Sequence, residues 1–111
     1  WNEGQRKLLK NVKGTSANLI YITDTPHPLR DIPACLSNYS ISKCNTTTRS
    51  LNLSISGFKV IDPNPWLCSR SCHAVKDGVV AYRDASHISV DIAIALIPRL
   101  TQALRDQGLN L

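Results

Sequence analysis

The chain has 111 residues, with thirteen Lys and Arg against eight Asp and Glu and 42% apolar content. That length supports one hydrophobic core and excludes a large multidomain enzyme, while ordinary apolar content excludes disorder as the default. The net charge of +5 is spread along the chain and aromatics are few (two Trp, three Tyr, one Phe), which describes a solvated basic surface rather than a nucleic-acid footprint.

There is no Met, and the chain opens directly on a polar stretch with no signal peptide before it, so the expectation is a piece cut from something longer. That stretch, residues 5–13, sets Leu8, Leu9 and Val12 against Arg6, Lys7, Lys10 and Lys13, an amphipathic helix stopped by Gly14. Residues 18–23 form a dense run of Leu19, Ile20, Tyr21 and Ile22 ended by Asp24-Thr25-Pro26, which reads as a buried parallel strand. A helix followed by such a strand suggests α/β architecture. Residues 24–50 look like loop, with Pro26, Pro28 and Pro33, and residues 49–56 fit either a strand or a short helix. Phe58 to Asp62 is a second strand, closed by Pro63 and Pro65. Asp77-Gly78 between Ala74-Val75-Lys76 and Val79-Val80-Ala81-Tyr82 predicts a β-hairpin. From Ser89, Val90, Ala93, Ile94, Ile97, Leu100, Ala103 and Leu104 recur at helical spacing. Ser89 suits the N-cap, Asp91 the positive N-terminus and Gly108 the stop, and Pro98 should kink or restart the helix.

Four cysteines, Cys35, Cys44, Cys68 and Cys72, fall in two local pairs. An even count at short spacing in a small chain reads as two disulfides formed in an oxidising compartment. Local pairing (Cys35 with Cys44, Cys68 with Cys72) would stabilise by roughly 2–3 kcal/mol per loop, although three connectivities are open. Zinc held by Cys68, Cys72 and His73 is the rival, and Cys35 and Cys44 do not make a convincing second half for it. Three Asn-x-Ser/Thr tripeptides, at Asn38, Asn45 and Asn52, agree with an extracytoplasmic location.

The sharpest local signal for chemistry is Asp84-Ala85-Ser86-His87, between the hairpin and the last helix. Spacing of three across a turn lets a carboxylate hold one imidazole nitrogen while the other takes a proton from a nucleophile. Taken alone, Asp-x-x-His more often marks an Asp capping a turn beside an exposed histidine, and Asp24-Thr25-Pro26-His27 carries the same spacing.

Context separates the two copies. The segment from Cys68 to Ser89 resembles the C-terminal block of SGNH (GDSL-like) hydrolases. More closely, the chain is similar to the SGNH domain fused to bacterial membrane-bound acyltransferases of the acyltransferase-3 family. The landmarks are Asp24-Thr25-Pro26, Pro33-Ala34-Cys35-Leu36, Cys44, Ile61-Asp62-Pro63, Leu67-Cys68 with Cys72, Asp77-Gly78 and Tyr82-Arg83-Asp84, across about residues 18–100.

This resemblance implies an α/β fold: part of a flavodoxin-like three-layer domain with parallel strands, a β-hairpin and a C-terminal helix. Residues 1–111 would be the C-terminal portion of an SGNH-type acyltransferase or esterase domain. It implies Asp84 and His87 as the catalytic Asp and His, His87 as general base and acid and Asp84 as its orienting carboxylate. Asp24 and His27 sit on a different landmark and receive no catalytic role. Ser89 suits a cap and Ser86 lies between the two catalytic residues, so neither is the nucleophile. No cofactor is implied. The implied partners are a transmembrane acyltransferase domain in the same polypeptide and an envelope glycan acceptor, with an extracytoplasmic, membrane-tethered location.

The chain also departs from the family's pattern. No Gly-Asp-Ser occurs in it, and the oxyanion-hole Gly and Asn blocks are not visible. The expectation is therefore that the nucleophile lies upstream and that the chain alone is inert. Half of a parallel-sheet domain would leave edges and an apolar face open to self-association. The non-enzymatic alternative is a secreted, disulfide-stapled binding module or a degenerate SGNH remnant.

Overall fold

The computed structural model describes residues 2–12, 14, 18–47 and 57–111. Its elements are α1 (Asn2–Val12), β1 (Ile20–Ile22), α2 (Ile32–Leu36), α3 (Ile41–Cys44), β2 (Lys59–Ile61) and α4 (Asn64–Leu67). They are followed by β3 (Val75–Lys76), β4 (Val79–Val80), α5 (Val90–Ala95) and α6 (Ile97–Asp106). The fold is α/β, as its alternation of apolar runs implies.

β1 and β2 pair in parallel, with Ile20 opposite Lys59, Tyr21 opposite Val60 and Ile22 opposite Ile61. Hydrogen bonds at both ends continue the ladder, from Lys59 N to Leu19 O at 3.1 Å and from Thr23 N to Ile61 O at 2.9 Å. The expectation of a buried strand is corrected, while its parallel pairing is as expected. Ile20 and Tyr21 are half-buried and Ile22 is exposed, because β1 has only β2 beside it among the described residues. The ambiguous stretch 49–56 lies within residues 48–56, outside the described residues, as do Lys13 and Asn52.

The Asp77-Gly78 hairpin forms as its chemistry requires. Both residues hold positive φ, 51° and 80°, the type I′ geometry that matches the twist of paired strands. β3 and β4 pair antiparallel across it.

Residues 24–50 are not all loop. α2 is a single turn nucleated by Asp31, whose Oδ1 accepts from Ala34 N at 2.9 Å, with Pro33 in the first turn where its missing N–H costs nothing. α3 carries Cys44 back to Cys35, which fixes the first disulfide at a Cα separation of 5.8 Å. Cys68 and Cys72 form the second, at 4.4 Å. The sulfurs required by the zinc alternative are thus bonded to each other, and among the described residues no group of three His, Cys, Asp or Glu is arranged to hold a metal ion.

The core gathers around these crosslinks. Ile32, Leu67, Ala74, Ala81, Tyr82 and Ile92 are buried with Cys35, Cys44 and Cys72. A short bridge ties the two disulfide regions, with Thr46 N donating to Cys72 O at 3.0 Å and Cys72 N to Thr46 O at 2.7 Å. Asn45 Oδ1 adds a bond from Ala74 N at 2.9 Å.

The C-terminal helix is restarted, as Pro98 requires. α5 ends at Ala95, and α6 begins at Ile97 with Pro98 in its first turn. Gly108 at φ 90° terminates it. Ser89 caps α5, its Oγ accepting from Ile92 N at 3.3 Å. Ser89→Ala should cost about 1 kcal/mol, read by urea denaturation, and Ser89→Asp should restore most of it. An unchanged midpoint in the alanine variant would show that the cap contributes nothing. No described helix is long and apolar enough to cross a membrane.

Candidate functional site

The stretch from Tyr82 to Ile88 forms a tight loop between the hairpin and α5. Tyr82 and Ile88 pair across its base, and Arg83 N donates to His87 O at 3.0 Å. This closure folds the Asp84 side chain back over the second and third residues that follow it. Asp84 Oδ1 accepts from the backbone N–H of Ser86 and of His87, each at 2.8 Å.

The same carboxylate engages the histidine side chain. His87 Nδ1 lies 2.8 Å from Asp84 Oδ2 and 3.0 Å from Oδ1. Backbone N–H donation from Ser86 and His87 comes first among the causes that hold the Asp84 carboxyl well below the usual carboxylate range; the imidazole beside it adds to them. The side chain therefore stays anionic through the range in which imidazoles titrate, about pH 5–8. An anion at Nδ1 fixes the tautomer that carries its proton there and leaves Nε2 as the basic nitrogen. His87 is 63% exposed, and among the described residues no hydrogen bond engages Nε2.

Two further residues surround the pair. Ser86 Oγ donates to Asp84 Oδ1 at 3.3 Å and lies 3.1 Å from His87 Nδ1, and Arg83 Nε sits 3.4 Å from Asp84 Oδ2. Both lie in the segment from Cys68 to Ser89, but spacing alone assigns them no contact with the carboxylate. The turn that brings them there becomes visible only with the backbone.

The second Asp-x-x-His copy has a different geometry. His27 meets Asp24 Oδ2 through Nε2, at 3.1 Å. Asp24 takes one backbone N–H, from Thr25 at 2.8 Å, and is 79% exposed. This pair turns the opposite nitrogen toward its carboxylate.

Both loops that leave the carboxyl ends of β1 and β2 are tied together. Thr23 Oγ1 donates to Asp62 Oδ1 at 2.8 Å, and Asn64 Nδ2 donates to that oxygen at 2.7 Å and to Asp24 O at 2.8 Å. Partial burial raises the Asp62 pKa, but donation from the Asn64 side chain, the Asn64 backbone and Thr23 outweighs it, and the net shift is downward from 3.8. A lowered folded pKa gives stability that is present above the unfolded value and lost as pH falls through the folded one. Acid titration of the melting temperature should therefore show a shallower decline below about pH 4 in Asp62→Asn than in the parent. Parallel acid limbs would contradict it.

Residues 2–102 match the family model described as "SGNH domain (fused to AT3 domains)". The chain belongs to this SGNH family. The match begins in α1, so the kinship reaches further toward the N-terminus than the landmarks from residue 18 onward. No curated protein and no solved structure matches the chain. The chain is thus an acyltransferase-associated, SGNH hydrolase-like module, and the landmarks Tyr82-Arg83-Asp84 and Cys68 with Cys72 lie within the matched span.

Proposed function

We propose that this SGNH domain supplies the Asp84–His87 half of a Ser-His-Asp triad that moves O-acyl groups on an envelope glycan. The single observation that carries the proposal is the orientation of His87, with Nδ1 on the Asp84 carboxylate and Nε2 without a hydrogen bond among the described residues. Two disulfides support an oxidising, extracytoplasmic site of action. The nucleophilic Ser would come from a segment of the polypeptide outside residues 1–111, which contain no Gly-Asp-Ser. The flavodoxin-like three-layer arrangement belongs to the complete domain under the same proposal, as does a transmembrane acyltransferase domain in the same polypeptide.

In this mechanism His87 Nε2 accepts the Ser hydroxyl proton as Oγ attacks the acyl carbonyl of the donor. The resulting imidazolium is stabilised by Asp84 and returns the proton to the leaving group as the acyl–Ser bond is completed. The glycan hydroxyl then gives its proton to Nε2 and attacks the acyl-Ser, and the proton passes to Ser Oγ as the ester departs. With water as acceptor the same steps give hydrolysis. Asp84 holds the imidazole and remains unprotonated throughout.

A fluorophosphonate probe tests the reading on the intact polypeptide. Labelling of one Ser outside residues 1–111, lost in His87→Ala, is the expected result. A second reading, a non-catalytic disulfide-stapled module, rests on the two crosslinks around which the core gathers. Absence of labelling in an intact polypeptide whose fold is retained would establish it.

A further inference from the structure

We infer that the cleft beside the first disulfide is a binding site for an acidic saccharide, with Arg30 and Lys43 holding its carboxylate and Tyr39 its ring. The cleft measures about 560 Å³ and is lined by Arg30, Asp31, Ala34, Cys35, Tyr39 and Lys43. That volume falls inside the range of small-ligand sites, roughly 300–1,000 Å³.

Its cations are placed rather than merely present. Arg30 Nη1 donates to Lys43 O at 2.8 Å and to Cys35 Sγ at 3.6 Å, so the guanidinium is fastened to both ends of the disulfide-closed segment. The edge formed by Nε and Nη2 engages no acceptor among the described residues. A planar edge with parallel N–H groups suits a carboxylate. Lys43 Nζ stands 6.0 Å from the Tyr39 ring centroid and adds a second charge on the same side. Asp31, the one acid among the described residues lining the cleft, is occupied with capping α2 through Ala34 N.

Tyr39 is 60% exposed although it is large and apolar in body. An exposed aromatic ring beside fixed donors is the pairing that a sugar calls for: apolar C–H faces against the ring and charged or hydroxyl groups against the donors. A second, independent feature lies one residue away. Leu29 is held at φ 58° and is 82% exposed, a left-handed conformation that leucine rarely adopts and that no packing of its own side chain rewards. Strain of this kind concentrates at ligand clamps, and here it sets the path of the chain directly into Arg30.

The choice of a saccharide rests on the glycan-directed reading above; the choice of an anionic, ring-bearing ligand rests on the cleft alone. Equilibrium dialysis of labelled digalacturonate against the intact polypeptide tests it, with galactobiose and inorganic phosphate as competitors. Digalacturonate should bind, and galactobiose should compete at least about tenfold more weakly, since charge-assisted bonds to the carboxylate are absent. Arg30→Gln should weaken binding by roughly tenfold or more, and the surface change Tyr39→Ala by roughly three- to tenfold with an unchanged melting temperature. Arg30→Lys should fail to restore affinity, because it lacks the planar edge. Absence of binding, affinity indifferent to both Arg30→Gln and Tyr39→Ala, or phosphate competing as well as digalacturonate would overturn the inference. His87→Ala should bind digalacturonate as the parent does, so loss of the catalytic reading and loss of this one are separately visible.

Discussion

His87→Ala should lower the acyl-transfer or esterase rate of the intact polypeptide by about 10²–10⁴-fold, the usual contribution of a positioned general base. Asp84→Asn should cost up to about 10⁴-fold, although it changes little in shape. An amide in place of Asp84 still offers one oxygen to the Ser86 and His87 backbone N–H groups. Its NH₂ then confronts Nδ1, which selects the tautomer protonated on Nε2 and removes the base where the Ser hydroxyl needs it. Because the two residues act as one device, the double variant should be scarcely slower than the worse single one. Asp24→Asn and His27→Ala serve as controls and should stay within about twofold of the parent, since removing surface side chains outside the reacting constellation rarely does more. Initial rates on an acylated glycan, with melting temperatures alongside, decide the matter. Retained activity in His87→Ala, or equal losses in the Asp24–His27 controls, would remove the assignment.

What the two Asp-x-x-His copies share is spacing, and spacing was the part legible in the sequence. The decisive difference, which imidazole nitrogen faces the carboxylate, arises from backbone closure. Arg83 N bonding to His87 O, and Tyr82 pairing with Ile88, turn the loop so that Asp84 meets Nδ1. The stretch from Asp24 to His27 follows a strand end through Pro26 and takes another course. Ser86 and Arg83 escaped sequence reasoning as contacts of Asp84 for the same reason.

Elements with strong local chemistry were readable: the Pro-bounded strands, the Asp77-Gly78 hairpin and the helices around Pro98. The single-turn helices α2, α3 and α4 were not. They are too short to show a 3.6-residue period, and capping, proline placement and a crosslink hold them in its stead. Asp31 followed by Pro33 was the available signal for α2. Disulfide connectivity was beyond sequence as well, because three pairings share one spacing pattern until the chain brings Cys35 to Cys44 and Cys68 to Cys72.

Tyr82→Ala should be the most damaging single core change, at about 3–5 kcal/mol, the usual cost of deleting a buried aromatic ring. Tyr82 is 1% exposed and lies in the buried cluster that joins both disulfides to α5. It is also the residue from which the Asp84–His87 loop departs. Its hydroxyl has a weak partner, Cys68 Sγ at 3.6 Å, so Tyr82→Phe should cost at most about 1 kcal/mol. The two variants therefore separate ring volume from hydroxyl. Burial raises the phenol pKa above 10.0. A raised folded value means stability that is fully present below the unfolded pKa and lost as pH rises through the folded one. Alkaline denaturation beginning near pH 10 should consequently be steeper in the parent than in Tyr82→Phe. Urea midpoints at neutral pH and melting curves from pH 8 to 11 measure both effects. A loss under about 1 kcal/mol in Tyr82→Ala would mean that the core is not organised around this ring, since cavities of that size are rarely filled by relaxation. The Asp84–His87 loop would then be anchored chiefly by its backbone bonds, Arg83 N to His87 O and Ser89 N to Ala81 O, and by the Ser89 cap.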